Sequence, residues 1–253
     1  MEVLDMPTVN ELYQYLDRVI PSTLSESWDN DGLMCCPNPE RTCHRVLLAL
    51  DATEEAVSYA VQRGFDIVVT HHPLIFHPIA SLTQPKLISL AASGISVFSF
   101  HTRLDAVKGG VNDCLARKIG LRDIEPFGDG MGRIGYLTEK TKIETFACAI
   151  KQVLSAGVVQ LGKANEYSYR VAVLGGAGSD AIEQAMQAGA DTFLTGELHH
   201  HELNEAPTYR MNLMTAGHHE TENPVLTYLD TLITEFHPGI VTECFDSGRI
   251  IAI

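Results

Sequence analysis

The sequence predicts an α/β protein with two similar α/β lobes, mainly parallel sheets and a pseudo-twofold axis between the lobes. Apolar runs typical of buried strands alternate with helical patterns in both halves of the 253-residue chain, and this alternation implies βαβ units. The window 60–71 also aligns with 185–196, with five identities in twelve positions. Duplication explains this match, although convergence on a helix, a glycine cap and a strand would also produce it.

The first half contains three predicted strands and three predicted helices. Thr8 and Glu11 form a capping-box pattern before apolar residues at helical spacing, which predicts an N-terminal helix. Thr53 is expected to cap a helix that ends at Gly64. Short apolar runs predict strands over 46–50, 67–70 and 95–100, with a further helix around 86–92.

The second half repeats this order. Strands are predicted over 170–174, 192–195 and 212–215, with a helix that Ser179 or Asp180 caps and another helix from about 221 to 235. We therefore expect lobe one over 1–121 and lobe two over 169–253. Residues 122–168 would form a linker and elaboration, and the two lobes would make one integrated domain.

Composition and charge exclude several classes of protein. Lys and Arg number 18 against 32 Asp and Glu, which gives a formal net charge of -14 and disfavours an extended nucleic-acid surface. No run approaches the roughly 18 apolar residues of a membrane span, and the first residues lack the basic segment of a signal peptide. Six dispersed cysteines favour free thiols in a reducing cytoplasm. The predicted location is therefore cytoplasmic, with no membrane partner.

Histidines and carboxylates follow the ends of the predicted strands. His71 and His72 come directly after the strand at 67–70. Two His-x-x-x-acid pairs follow other strands at a constant offset of 117 residues: His101 with Asp105, and His218 with Glu222. Residues four apart share a helix face, so each imidazole and its carboxylate are expected to converge.

Imidazole and carboxylate ligands together suit Zn, Fe, Mn, Co or Ni. A carboxylate can bridge two ions about 3.5–4 Å apart, the spacing of two-metal hydrolytic sites. Because ligands gather beyond the carboxyl ends of parallel strands, these side chains are expected to form one metal site. The alternative is a set of unrelated buried or surface histidines.

Five short motifs occur in one order along the chain: SWDNDGL (27–33), THHP (70–73), HTRLD (101–105), GGVND (109–113) and GHHETE (217–222). This ordered set resembles the GTP cyclohydrolase type 2 homologue family, also called Nif-three-like dimetal toroid proteins, in the basic form without an inserted domain. The resemblance implies a Nif-three-like fold, two divalent metal ions per chain and a ring-shaped homohexamer with metal sites facing an internal cavity.

The resemblance also implies the metal ligands: His71, His72, Asp105, His218 and Glu222. Glu222 would bridge the ions, while the two adjacent histidines would bind different ions. His101 and His219 fall outside this set and are expected to orient ligands or substrate. Arg103 stands where relatives carry a smaller polar residue, which suggests altered anion binding beside the site.

Two further segments have open roles. The run LGGAGS (174–179) could cradle a phosphate on backbone N–H groups, but it lacks P-loop spacing and also fits a tight turn between strand and helix. Glu197 aligns with the His71–His72 position of lobe one, so it is either an acid or base in the cavity or part of a solvated helix start. The roles of His199, His200 and His201 stay unassigned.

The sequence and the resemblance together predict a metal-dependent hydrolase with a small-molecule, nucleotide-like substrate. A GTP-like substrate would be attacked at C8, and His101 or Glu197 would transfer protons. The alternative is a non-catalytic metal-binding toroid that stores metal, delivers it or serves as a platform for protein interactions.

Overall fold

The computed structural model describes residues 5–248, which divide into two compact units. The first unit comprises residues 5–104 together with Leu226–Gly248, and the second comprises Asp105–Val225. Each unit is built on one β-sheet. No helix within residues 5–248 has the length and apolar character that crossing a membrane would require.

The strands of the described chain are, in order, β1 (Gly32–Cys35), β2 (Arg45–Ala49), β3 (Ile67–Thr70), β4 (Ser96–Ser99), β5 (Arg122–Phe127), β6 (Gly132–Lys142), β7 (Gln160–Gly162), β8 (Tyr167–Ala177), β9 (Thr192–Glu197), β10 (Asn212–Thr215) and β11 (Val241–Cys244).

The helices are α1 (Val9–Val19), α2 (Glu54–Arg63), α3 (Pro85–Ser93), α4 (Thr102–Ala106), α5 (Val111–Lys118), α6 (Ile143–Val153), α7 (Ile182–Gln187), α8 (His200–Asn204), α9 (Ala206–Tyr209), α10 (His218–Glu222) and α11 (Val225–Phe236). Short 3₁₀ turns lie at Ser22–Leu24 and Ser179–Ala181.

The sheet of the first unit has the strand order β1-β4-β3-β2-β11. Its last four strands run parallel, and β1 pairs antiparallel with β4 at one edge. All residues of β3 and β4 are buried, as expected for central strands covered on both faces. The predicted caps of α1 and α2 are present: Thr8 and Glu11 form a capping box, and Thr53 accepts a hydrogen bond from the Ala56 N–H.

The sheet of the second unit has the order β5-β6-β8-β9-β10-β7. Its central strands β8, β9 and β10 run parallel, and the flanking strands pair antiparallel. Alternate side chains enter separate apolar clusters: Val171 and Val173 belong to one cluster, whereas Ala172 belongs to another. This alternation shows that both faces of the sheet are covered.

The predicted α/β class with parallel central strands is confirmed, since five of the nine strand pairings within residues 5–248 are parallel. The three strands predicted in each half are present in the predicted order: β2, β3 and β4 in the first unit and β8, β9 and β10 in the second. The pseudo-twofold relation between two lobes stays a prediction.

Two predicted helices differ in their bounds. The helix predicted from 221 to 235 is two helices, α10 and α11, separated at Asn223 and Pro224. Proline lacks the N–H that would continue the helical hydrogen bonding. The helix after β8 begins with a 3₁₀ turn, and no side chain caps α7 at its N-terminus.

The compact units also differ from the lobes expected over 1–121 and 169–253. Residues 122–168, predicted as a linker and elaboration, include the helix α6 and the strands β5, β6 and β7, and these three strands complete the second sheet. Residues 226–248 belong to the first unit because β11 pairs with β2. Backbone pairing of these edge strands decides the division, and apolar periodicity does not report which strand is the partner.

All six cysteines are free, and they differ in exposure. Burial, followed by the nearby Asp66 carboxylate, raises the pKa of the Cys43 thiol to about 12. Because the thiolate is the reactive form, we expect Cys43 in the native protein to react with N-ethylmaleimide at pH 8 at least about 100-fold more slowly than exposed Cys148. Mass spectrometry of labelled peptides measures both rates. Equal labelling of both thiols would contradict the burial of Cys43.

Candidate metal centre

The His71–His72 pair continues β3 beyond its carboxyl end. The His71 N–H donates to the Ala49 carbonyl at 3.3 Å, and the His72 N–H donates to the Leu50 carbonyl at 2.9 Å. The Thr70 hydroxyl donates to the His72 carbonyl at 2.8 Å. The backbone of both histidines is therefore fixed by the parallel sheet and by the last side chain of β3.

Three imidazoles of the first unit share one hydrogen-bonding pattern, in which each Nδ1 lies against an acceptor oxygen: His71 against the Phe100 carbonyl at 3.0 Å, His72 against the Asp51 carboxylate at 2.9 Å, and His101 against the Asp29 carboxylate at 2.9 Å. A carbonyl or an ionised carboxylate only accepts, so each Nδ1 carries the proton. In the neutral imidazole the lone pair then lies on Nε2, which is the arrangement of a metal-ligating histidine.

These three side chains form a group whose potential ligand atoms all lie within 4.8 Å of one another. Burial, followed by the neighbouring His71, lowers the pKa of His101 and favours its neutral form. Neutral imidazoles with a lone pair on Nε2 suit borderline divalent cations such as Zn. The donor set therefore fits a metal ion.

Asp29, in the SWDNDGL segment, positions His101. One carboxylate oxygen faces His101, and the other accepts hydrogen bonds from the Thr102 hydroxyl at 2.6 Å and from the Thr102 N–H at 3.0 Å. Burial alone would raise the pKa of the Asp29 carboxyl, but the hydrogen bonds from Thr102 and His101 lower it. Sequence reasoning missed this role because it lies in a contact across 72 residues, and an acid near Gly32 also fits an ordinary turn.

Arg103 is a structural residue of the first unit. Its side chain is 1% exposed, and it donates to Asp31 at 3.1 Å and to Asp17 at 2.6 Å. The guanidinium also lies over the Phe100 ring at 4.7 Å. The expectation that Arg103 alters anion binding beside the site is therefore wrong, because two carboxylates already bind this cation.

The second unit holds the predicted His-Glu pair on α10. His218 Nε2 lies 3.1 Å from a carboxylate oxygen of Glu222, one helical turn later, and Glu222 is 4% exposed. The expected convergence of residues four apart is confirmed for this pair. His218 Nδ1 lies 3.5 Å from the Glu197 carboxylate at the end of β9, so Glu197 is placed beside the pair.

Two glycines make room for this pair. Gly176 has φ +68°, and a Cβ there would lie 2.3 Å from the Glu222 carboxylate oxygen and 3.2 Å from His218 Nε2. A Cβ at Gly196 would lie 2.6 Å from the Gly176 carbonyl oxygen and 2.8 Å from the His218 Cα. The ends of β8 and β9 therefore approach α10 so closely that side chains are excluded at both positions.

The backbone of the glycine-rich run is already engaged by the protein. The Gly175 N–H donates to the Asn112 side chain at 2.7 Å, and the Gly176 N–H donates to the Thr221 hydroxyl at 3.1 Å. The Gly178 N–H faces the Glu197 carbonyl at 3.3 Å. The run is the irregular end of β8, followed by the 3₁₀ turn at Ser179–Ala181, and these three donors are not directed at a phosphate.

Asn112, in the GGVND motif, links three segments of the second unit. Its side-chain oxygen accepts from Gly175, while its NH₂ donates to the Met131 carbonyl at 2.9 Å and to the Asp105 carbonyl at 3.3 Å. The residue is fully buried. It therefore connects the backbone of Asp105 with the end of β8 at Gly175.

The remaining histidines lie in different settings. The His199 and His201 rings stack at 5.6 Å in a partly exposed segment around the start of α8, and His200 Nε2 lies 3.0 Å from the Asn204 amide. His219 follows His218 on α10 and is half-buried. The structure brings His101 together with His71 and His72, and it brings Glu197 together with His218 and Glu222.

We expect Gly176→Ala to impair metal binding by displacing the Glu222 carboxylate. The control is Gly120→Ala in the same unit, because Gly120 has φ +83° and open space around its Cβ position. Both variants incur the backbone strain of alanine at positive φ, about 1 kcal/mol, but only the first should lose at least half of its metal. Elemental analysis measures the loss of metal, and thermal unfolding measures the cost of the backbone strain. Equal metal content in both variants would contradict the steric argument.

Asn112→Ala is expected to weaken metal affinity about tenfold or more. The reason is that the Asp105 carbonyl and the Gly175 N–H at the end of β8 both lose their hydrogen-bonding partner. Asn212 is the matched control, since it is also fully buried and accepts from the Ala164 and Asn165 N–H groups at 2.8 Å. Either substitution should cost about 1–3 kcal/mol of unfolding free energy. Denaturant unfolding measures the stability of both variants, and metal titration of the folded variants then measures their metal affinities. An equal loss of metal affinity in both variants would rule out a specific role for Asn112.

Comparison with known proteins identifies the family. The family model described as Duf34/NIF3 (NGG1p interacting factor 3) matches residues 7–247. A Clostridium perfringens protein named GTP cyclohydrolase 1 type 2 homolog is 33% identical over 242 residues, covering 90% of this chain and 91% of that protein. Protein NIF3 homolog of Schizosaccharomyces pombe is 30% identical over 266 residues, covering 96% and 94%.

A crystal structure of the Staphylococcus aureus protein SA1388 is also similar to this chain. It has 27% sequence identity and a TM-score of 0.87, and the match covers 98% of this chain and 100% of that one. The extent of these matches confirms the resemblance that the ordered motifs predicted. The chain belongs to the Duf34/NIF3 family.

Proposed function

We propose that this protein is a dinuclear metal-dependent hydrolase that acts on a nucleotide-like substrate. The observation that carries the proposal is the group of three imidazoles whose Nδ1 atoms face acceptors and whose potential ligand atoms lie within 4.8 Å. A set of oriented imidazoles, here one buried and two partly buried, is what metal binding requires, and packing alone does not require it. In the second unit, the partly exposed His218 and the buried Glu222 are further residues of metal-ligand type.

The proposed ligands are the five that the family resemblance implies: His71, His72, Asp105, His218 and Glu222. Glu222 would bridge two ions, and the metal could be Zn, Fe, Mn, Co or Ni. When bound, such ions lower the pKa of water and polarise an electrophilic carbon or phosphorus atom. The tightly packed Gly176 and Gly196 support this assignment, since they restrict where the Glu222 carboxylate can lie.

His101 is proposed as a proton-transfer residue that acts beside the ligands. Its Nδ1 proton is held by Asp29, which leaves Nε2 to accept a proton. The ionised Asp29 would stabilise the resulting imidazolium, as a carboxylate does for the histidine of a hydrolytic triad. Glu197 is the second candidate, because its side chain is 60% exposed and lies beside His218.

The substrate class rests on the names of relatives, several of which are called GTP cyclohydrolase 1 type 2 homolog. Attack at C8 of a guanine-like ring would release formate. The competing proposal is a non-catalytic metal-binding protein that stores or delivers metal or serves as an interaction platform, and the family description, NGG1p interacting factor 3, favours it. We also propose a cytoplasmic homohexamer from the family resemblance alone.

The deciding experiment compares metal-loaded with metal-stripped protein on a panel of nucleotides. A hydrolase should release formate, phosphate or another product only when loaded, after elemental analysis has established two ions per chain. Metal-loaded protein that releases nothing from any nucleotide would favour the non-catalytic proposal.

Glu222→Ala should reduce metal content from two ions per chain to one or none, because the bridging carboxylate is lost. Glu220→Ala, on the same helix, is the control and should retain both ions. Elemental analysis measures both contents, with circular dichroism to establish that α10 and its unit stay folded. Two ions with unchanged affinity in Glu222→Ala would show that this residue does not bridge.

Glu197→Gln should leave the metal content unchanged and lower any hydrolytic rate at least about tenfold, because the amide cannot accept a proton. The glutamine keeps the size and an acceptor oxygen near His218, so orientation alone is little disturbed. Steady-state rates on the most active nucleotide, with parallel elemental analysis, provide the measurement. An unchanged rate would exclude Glu197 as the base.

A further inference from the structure

Two aromatic side chains border the histidine group of the first unit. Trp28 is the only tryptophan in the sequence and is 60% exposed, and Phe76 is 42% exposed. Their ring centroids lie 6.1 Å apart. Each ring also meets the His101 ring nearly edge-on, at 6.1 Å for Trp28 and 6.2 Å for Phe76.

Both rings keep a large exposed surface. Their planes are inclined at 44°, so neither ring stacks on the other, and Phe76 also meets the His77 ring nearly at a right angle at 4.8 Å. The backbone that carries them is nevertheless anchored: the Asn30 side chain donates to the Ile75 carbonyl, and neighbouring Asp29 is held by Thr102. Exposed aromatic surface is costly in water, and here it lies on fixed segments beside a candidate site, where ligand pockets combine aromatic walls with a few polar groups.

We propose that Trp28 and Phe76 bind a planar nitrogen heterocycle, the base of a nucleoside, and hold it beside His101. This inference rests on the proposed function and specifies which part of the substrate the first unit recognises. Flat π-systems stack on aromatic faces, whereas a sugar or a phosphate gains little there. The guanidinium of Arg103 is buried between two carboxylates, so it is not available to bind a phosphate. The exposed rings of Trp28 and Phe76 therefore provide the contact that would recognise a ligand.

Because Trp28 is the only tryptophan, its fluorescence reports directly on this surface. Guanosine monophosphate should quench the emission of the purified protein in a saturable way, after inner-filter correction with N-acetyltryptophanamide. Ribose 5-phosphate has the sugar and phosphate without the base, and it should not quench. Quenching by both compounds, or by neither, would overturn the proposal.

Variants separate stacking from structural effects. Calorimetry with guanosine monophosphate should show at least tenfold weaker binding for Trp28→Ala and at least fivefold weaker binding for Phe76→Ala, with affinity largely restored in Trp28→Phe. Tyr167→Ala removes an exposed aromatic side chain of the second unit, which is 45% exposed, and should bind as the wild type does. Equal affinity in Trp28→Ala and Tyr167→Ala would exclude the aromatic surface.

Metal content and oligomeric state are measured on the same variants. Loss of metal from Trp28→Ala would show a structural role and overturn the proposal. A changed sedimentation coefficient would also overturn it, because Trp28 would then contact a second copy of the chain. Base-specific quenching in protein that binds no metal would support the aromatic site while the proposed hydrolase fails. Two bound ions in a protein that does not recognise the base would support the proposed metal site and overturn the aromatic site.

Discussion

The hydrogen bond from each imidazole Nδ1 to an acceptor oxygen is the interaction on which the candidate site depends. It fixes the tautomer, the ring orientation and the direction of the Nε2 lone pair. The acceptors come from different places: the Phe100 carbonyl and Asp51 follow the ends of β4 and β2, and Asp29 lies in the loop before β1. Three chain segments must therefore be correctly placed before the three imidazoles adopt this tautomer and orientation.

The second unit positions its His-Glu pair mainly by exclusion of volume. Gly176 and Gly196 allow the strand ends to contact α10, and a methyl group at either position would occupy space that His218 or Glu222 needs. The side chains of Asn112 and Thr221 then accept hydrogen bonds from the Gly175 and Gly176 N–H groups at the end of β8. Gly176 belongs to a run that resembles a phosphate-binding loop in the sequence, but here it leaves the space that the Glu222 carboxylate occupies.

Buried charge is neutralised in both units by compact networks. Arg103 donates to Asp31 and Asp17 in the first unit, and Arg133 donates to Asp113 at 2.8 Å in the second. A buried charge without a partner would be strongly destabilising. These pairs secure the chain next to His101 in the first unit and next to Asn112 in the second.

The sequence by itself determined the α/β class, most central strands and the family, because periodicity, capping residues and ordered motifs are local properties. It also indicated the His218–Glu222 pair, since a spacing of four on a helix fixes proximity. Only the tertiary structure decided that Asp29 and Asp51 orient histidines, that Arg103 is buried and that residues 122–168 complete a sheet. Those outcomes depend on contacts between residues far apart in the chain, whose partners no local pattern specifies.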